Sequence, residues 1–348
     1  MLLRSKFFFA VFAVFALTLA SPKAHAQQNR PAPCACEIPN GPPNPHPYLI
    51  GYLGVYAQKD WPTLIKTLDY TKMTHLDLAF INPPDCGPNG CTTKSDMTFG
   101  ANATFTDAAL DALVADAHAH GTKVLASLGG DGGDKRYMQF YNAGLSKEIV
   151  DALDIYLNKH HLDGVDVDIE QPTQMGVPYT QFVKALVARL KPEGKLVTAA
   201  VAQYIQAGVE KEVLPMFDIV NVMIYGDYNR SVSDMAYWAN QQHVPKEKLT
   251  LGIGFHNYTQ VLANYPNGWN TDTVGGGTYR NGQAISYQGE ATVSKITQLS
   301  RQYGGAMIWE LSQDDPTNPH SLLKAMQRNL DPNAPPIPEP QRRRNGDE

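Results

Sequence analysis

Two hydrophobic periods take turns along this chain. Short runs rich in β-branched and aromatic residues are followed by stretches whose apolar residues recur every three or four positions. The first kind occurs at 48–56 (YLIGYLGVY), 74–82 (THLDLAFIN), 123–128, 162–170, 196–202, 217–225 (FDIVNVMIY), 249–255 (LTLGIGF) and 305–310. The second kind predicts helices at 61–70, 107–120, 134–160, 179–190, 209–214, 233–242, 291–303 and 321–329. Thr106 and Asp107 cap the second of these and Gly121 stops it. A break is expected near Gly144 in the third.

Eight apolar strands alternating with helices predict parallel βα units, and eight of them predict closure into a single (β/α)8 TIM barrel. An open doubly wound sheet would bring a phosphate-cradling turn after an early strand. The Gly-rich run Gly129-Gly130-Asp131-Gly132-Gly133 follows the third strand instead and lacks the GxGxxG order. Residues 256–289 read as a long loop, too short for a full extra α+β domain. The chain thus divides into a leader at 1–26, an extended Pro-rich lead-in at 27–47, a barrel at 48–330, and a Pro/Arg-rich tail at 331–348 without fixed structure.

The stretch 162–170, Leu-Asp-Gly-Val-Asp-Val-Asp-Ile-Glu, is unlike the others. On a strand, Val165, Val167 and Ile169 share one face, and Asp166, Asp168 and Glu170 the other, about 6.5–7 Å apart. Three partly buried carboxylates in a row repel, and at least one pKa must rise. Such an arrangement is costly as structure and useful for acid–base chemistry. A calcium loop would need another order, with its glycine later and a closing glutamate.

Barrel active sites lie at the C-terminal ends of the strands. Unusual residues collect there: Glu170 with Asp168 and Asp166, then Met223, Tyr225 and Asp227, then Trp309 and Glu310. Tyr52, Tyr56, Phe80, Gln203 and Tyr204 complete the rim. Carboxylates among aromatic rings suit sugars, whose ring faces are apolar and whose edges carry hydroxyls.

The pattern Asp163-x-x-Asp166-x-Asp168-x-Glu170 resembles the DxxDxDxE signature of glycoside hydrolase family 18, which holds chitinases and endo-β-N-acetylglucosaminidases. Ser127-Leu128-Gly129-Gly130 is similar to the family's SxGG motif, Met223-Ile224-Tyr225 to its M-x-Y motif, and 305–311 to its eighth-strand segment with tryptophan. One departure stands out: Gly226 separates the tyrosine from Asp227, where the family usually has an acid or amide directly.

The resemblance implies a retaining, substrate-assisted reaction. Glu170 is then the acid and later the base. Asp168 orients the acetamido group and shares a proton with Asp166. Tyr225 holds the acetamido group from the other side, and Trp309 floors the sugar site. Met223, Asp227, Gln203, Tyr52 and Phe80 are the further candidates for substrate contact. The implied partner is chitin or N-acetylglucosamine oligosaccharides. A related endoglycosidase acting on N-glycan chitobiose cores, and a barrel lectin, remain open; binding-only relatives typically lose the glutamate, which is present here.

Composition narrows the rest. Arg4 and Lys6 precede an apolar run at 7–20, and Ala24-His25-Ala26 offers a small-x-small cleavage site, so the leader reads as a signal peptide and the product as secreted; a monomer is expected, though no motif sets the oligomeric state. The formal charge of −5 becomes −5 − 3 = −8 once Arg4, Lys6 and Lys23 are removed. That balance disfavours nucleic acid and anionic membranes as partners. A disulfide between Cys86 and Cys91 is expected across a turn-rich loop, while Cys34 and Cys36 stay open. No Cys/His spacing implies a metal, and no cofactor is implied.

Overall fold

The strands form where apolar, largely β-branched runs are buried on both faces, with a few polar residues at inward positions. The computed structural model describes residues 42–56, 58, 60–86, 99, 105–202, 209, 212–274 and 284–335. Eight parallel strands close on themselves: β1 (Tyr48–Gly54), β2 (His75–Ala79), β3 (Lys123–Gly130), β4 (Gly164–Ile169), β5 (Leu196–Val201), β6 (Val220–Val222), β7 (Leu249–Gly254) and β8 (Gly305–Trp309). Ladders from β1 to both β2 and β8 complete the ring, and the fold is the expected (β/α)8 barrel.

The helices are α1 (Trp61–Thr67), α2 (Asp107–Ala119), α3 (Asp134–Asn142), α4 (Ser146–Lys159), α5 (Pro172–Met175), α6 (Val177–Leu190), α7 (Tyr228–Ala236), α8 (Tyr258–Asn264), α9 (Glu290–Ser300) and α10 (Leu322–Asn329). Side-chain caps start several of them. The Asp60 carboxylate accepts from Thr63 N at 3.1 Å, and the Ser321 hydroxyl accepts from Lys324 N at 3.2 Å. The expected break between α3 and α4 falls at Gly144, whose φ of 73° ends the first helix. Helix α6 turns Phe182, Val183, Leu186 and Leu190 toward the barrel, the spacing of one helical face.

Strand parity separates two cores. Outward residues such as Leu49, Leu53, Val165, Val167, Ile169, Val197 and Leu251 join the large cluster under the helices. Inward residues Ile50, Tyr52, Ala79, Ile219 and Met307 form a second, smaller cluster inside the barrel. That inner space also carries polar side chains, and they build the site.

Several elements differ from the expectation. Strand β6 spans only three residues, Val220–Val222; Met223 N still donates to Val201 O at 2.8 Å, and Tyr225 beyond it is left-handed, φ 48°. The helix expected at 209–214 lies partly outside the described residues, at 210 and 211, and a single 3-10 turn runs over Leu214–Met216. Helix α7 starts at Tyr228, earlier than expected, because Asp227 caps it. It passes into a wider π turn at Tyr237–Gln241. The long loop after β7 holds α8 and a short antiparallel ribbon pairing Thr273–Val274 with Ile285–Ser286. The start of the tail is also tied down: Arg301 donates to Asp331 O at 2.8 Å, and Gln298 to Pro335 O at 2.8 Å.

The leader, Cys34, Cys36, Cys91 and Gln203 lie outside the described residues. Among the described residues no helix is long and apolar enough to cross a membrane.

Candidate active site

The acidic strand splits as its alternation predicts. Val165, Val167 and Ile169 are fully buried in the outer core, while Asp166 and Asp168 point into the barrel, buried as well. Glu170 follows the strand's last residue and is half-buried at the mouth. The signature's first aspartate has a different task. Asp163 sits at the other end, accepting from Val124 N at 2.7 Å and bonding His118 Nε2 at 2.8 Å, which pins β3 to β4.

Asp166 is the best-solvated acid in the interior, and its solvent is protein. Oδ2 accepts from the Tyr52 hydroxyl at 2.7 Å and from Ser127 Oγ at 2.9 Å. Oδ1 accepts from Thr198 Oγ1 at 2.8 Å and from Asn221 Nδ2 at 3.3 Å. Asn221 also donates to the Tyr52 oxygen at 3.0 Å and accepts from Thr250 Oγ1 at 2.6 Å. Four strands, β1, β3, β5 and β6, therefore converge on one carboxylate of β4. Burial raises its pKa, and these four donors work against that rise.

Asp168 is placed differently. Burial first, then the charges of Asp166 and Glu170, push its pKa well above the usual carboxylate range. Its Oδ1 accepts no hydrogen bond from the described residues. A carboxyl that burial and its neighbours push toward the protonated form, with one oxygen accepting no bond from the described residues, thus lies between a hydrogen-bonded aspartate and a glutamate at the mouth. That arrangement can donate, share and receive protons along one line.

Rings close the site. Trp309 lies against Phe80 with ring centroids 5.7 Å apart and planes 26° apart, and against Tyr52 at 5.7 Å. Phe80 fits because Gly130 is a glycine: a Cβ there would stand 2.5 Å from the Phe80 ring. Gly129 is equally constrained, since a Cβ would stand 2.3 Å from the Asp168 carbonyl oxygen at a φ of +108°. The two glycines of the third-strand motif let a ring and the acidic strand approach. The Ala79–Phe80 and Trp309–Glu310 peptide bonds are cis.

Tyr225 and Met223 both pack against the inner cluster with Trp309. The Tyr225 hydroxyl lies 3.9 Å from Met307 Sδ, and its ring meets His256 edge-on at 5.4 Å. The structure thus brings Glu170, Asp168, Asp166, Tyr52, Phe80, Met223, Tyr225 and Trp309 to one end of the barrel interior. Asp227 is exposed, and its Oδ1 accepts from Arg230 N at 2.8 Å as the cap of α7. Glu310 is buried as a tie between strands, accepting from Gly54 N at 3.3 Å and Ser312 N at 3.2 Å.

Supporting residues went unread in the sequence. Thr198, Asn221 and Thr250 are isolated polar residues inside apolar strands, each at inward parity. Asn82 grips the end of β3 from both sides, donating to Gly129 O at 2.9 Å and accepting from Gly129 N at 2.7 Å. Gln171, directly after Glu170, accepts from Gly132 N at 2.9 Å and donates to Asp131 at 2.9 Å. A lone polar residue in a buried strand was the available signal.

The raised Asp168 pKa has a consequence for stability. Its folded value exceeds its unfolded one, so its contribution is fully present below about pH 3.9 and is lost as pH rises toward the folded value. Asp168→Asn is therefore expected to gain melting temperature relative to wild type as pH goes from 4 to 8. The difference cancels the histidines, including His75, whose value burial lowers to about 4. A pH-independent difference in paired thermal melts would contradict the assignment.

Among the described residues no group of three His, Cys, Asp or Glu side chains is arranged to hold a metal ion. The profile of glycosyl hydrolases family 18 matches residues 48–314. The barrel and its line of acids thus define the class: the chain belongs to glycosyl hydrolase family 18. Among curated proteins none matches it. The fold is similar to that of the family 18 chitinase ChiB from the chitin utilization locus of Flavobacterium johnsoniae, at 24% identity and a TM-score of 0.66, covering 81% of this chain and 93% of that one. A chitinase from Bacteroides thetaiotaomicron is similar at 22% identity and a TM-score of 0.67, covering 82% and 97%. So is YKL-39, solved in the presence of chitooligosaccharides, at 16% identity and 0.65, covering 81% and 99%.

Proposed function

We propose that this chain is a secreted, retaining glycosidase that hydrolyses β-1,4 links of N-acetylglucosamine polymers, a chitinase, by substrate-assisted catalysis. The observation that carries the reading is Asp168: buried, proton-loving, placed between Asp166 and Glu170, with an oxygen that takes no bond from the described protein. An acetamido N–H is the partner it lacks.

Glu170 protonates the glycosidic oxygen as the substrate's own acetamido oxygen attacks the anomeric carbon. The bond to the leaving sugar breaks, and a cyclic oxazolinium ion forms. Asp168 accepts from the acetamido N–H and offsets the positive charge, its proton passing to Asp166. Tyr225 holds the acetamido group from the opposite side. Trp309, supported by Phe80, lies under the sugar ring, with Met223 and Tyr52 beside it. Glu170 then takes a proton from water, which attacks the same carbon and restores the β configuration. Asp227 and Gln203 remain candidates for outer contacts. The leader at 1–26 supports export, and a monomer is the expected state.

Family 18 folds also serve binding without cleavage, and Glu170 favours the enzyme. The test is product analysis of wild type with N-acetylglucosamine oligomers and, separately, with a high-mannose glycopeptide. Oligomer cleavage supports the chitinase. Glycan release without oligomer cleavage moves the reading to an endo-β-N-acetylglucosaminidase. Binding with no cleavage of either leaves a lectin.

A further inference from the structure

The residue after Tyr225 is a glycine, so the chain has no side chain of its own there to hold it. It needs holding. Tyr225 adopts a left-handed backbone, φ 48°, which a residue with a Cβ disfavours. Its N–H donates to Gly252 O at a long 3.4 Å. A second tie comes from far along the chain. Gln288 Nε2 donates to Gly226 O, and Gln288 Oε1 accepts from Gly254 N at 2.6 Å. Gln288 is 6% exposed. One buried amide thus joins the end of β7 to the residue just beyond the tyrosine. Its partners fix which way the amide points, since a backbone N–H only donates and a carbonyl only accepts.

Packing completes the grip. A Cβ on Gly254 would stand 2.4 Å from His256 Nδ1 and 3.4 Å from Tyr225 Cβ. Glycine there lets His256 fold back over the strand end, where its ring meets that of Tyr225 edge-on. Gln288 is itself pinned on both sides. Tyr287 N donates to Asp272 O at 3.0 Å, and the Tyr287 hydroxyl donates to Gly268 O. Gly289 N donates to Asp272 Oδ1 at 2.8 Å, and Asp272 Oδ2 accepts from Thr292 Oγ1 at 2.7 Å. The excursion between β7 and β8 therefore returns to the barrel on a fixed footing and brings one amide to the site.

We propose that Gln288 is a positioning residue for Tyr225. By tying Gly226 to Gly254 it keeps the tyrosine in its left-handed pose, and so keeps the hydroxyl where it holds the acetamido group. Without the amide, Gly226 O and Gly254 N would be left unpaired in a buried place, and such groups move until they find a partner or water. The tyrosine between them would move too. The role rests on the glycosidase reading, whereas the tie itself does not.

The test is Gln288→Met, which fills nearly the same space and donates nothing to Gly226 O. Its kcat on N-acetylglucosamine oligomers is expected to fall roughly tenfold, within the roughly 100-fold that a misplacement of about 1 Å can cost. KM should stay within about twofold, because the hold on the acetamido group counts most as that group attacks. Added to Tyr225→Phe, the same change should cost less than about twofold, since the hydroxyl to be positioned is already gone. An unchanged kcat overturns the proposal, and so does an equal loss in both backgrounds, which marks a merely structural role. If Gln288→Met does not fold, Gln288→Glu takes its place: protonated, its carboxyl donates and accepts as the amide does, and ionised it cannot donate. The titratable side chains about the tie are Arg230 beside Gly226, His256 and Tyr225 beside Gly254, and Asp272 behind Gly289, all shared with wild type. The ratio of its kcat to that of wild type should fall roughly tenfold between about pH 4 and 8, and a flat ratio overturns the proposal. If wild type cleaves nothing, the glycosidase reading fails and crystal structures decide the tie. A Tyr225 hydroxyl displaced by about 1 Å in Gln288→Met supports it, and an unmoved hydroxyl overturns it.

Discussion

Glu170→Gln is expected to lower kcat on N-acetylglucosamine oligomers by roughly 10³–10⁴, within the upper range for a positioned general acid and base. The amide matches the carboxyl in size and cannot give its proton to the glycosidic oxygen. Glu170 is half-buried at the end of β4, and the isosteric amide should leave folding and oligomer binding intact. The sugar floor of Trp309 on Phe80 is untouched by the change. Paired turnover and binding measurements separate the two quantities. A variant that binds weakly as it turns over slowly would assign Glu170 to substrate affinity and leave the acid unidentified.

Asp168→Asn is expected to cost roughly 10²–10³ in kcat, about 2.7–4 kcal/mol, the scale of removing a preorganised group from a developing charge. An asparagine oxygen can still accept from the acetamido N–H. It carries no negative charge to balance the oxazolinium ion, and its own N–H groups cannot pass a proton to Asp166. The penalty should appear in kcat and spare KM, because the charge exists only beyond the ground state. Equal activity in wild type and variant would remove Asp168 from the mechanism. The same variant serves the thermal-melt comparison, so fold and chemistry are read from one protein.

The acidic strand was legible because its alternation is local. Any strand conformation puts Asp166, Asp168 and Glu170 on one face, and apolar Val165, Val167 and Ile169 behind. Strand order was legible for the same reason, since the turns and helix caps that separate the runs are local too. What surrounds Asp166 was not. Tyr52, Ser127, Thr198 and Asn221 come from four strands far apart in the chain, and their common depth depends on how the closed sheet is staggered. Parity marks each as inward without saying which meet.

Gln288 shows the same limit: a glutamine in a loop carries no local sign that its amide reaches both the end of β7 and the chain beyond β6. The apolar run 217–225 reads as nine residues of strand, yet only Val220–Val222 pair as strand, and beyond them Tyr225 adopts a left-handed backbone that no propensity favours for tyrosine. Asp227 illustrates the reverse case, where a local rule suffices. An aspartate before a helical run is an N-cap by residue type alone, and the structure places it in that job.

The central claim is that the substrate's own acetamido group does the nucleophilic work, with Asp168 and Glu170 on either side of it. The most direct measurement is a comparison of N-acetylglucosamine oligomers with fully deacetylated oligomers of the same length, following the anomer released at early times. Cleavage confined to the acetylated series, with the β anomer appearing first, is the predicted result. Comparable cleavage of the deacetylated series, or initial release of the α anomer, would contradict it.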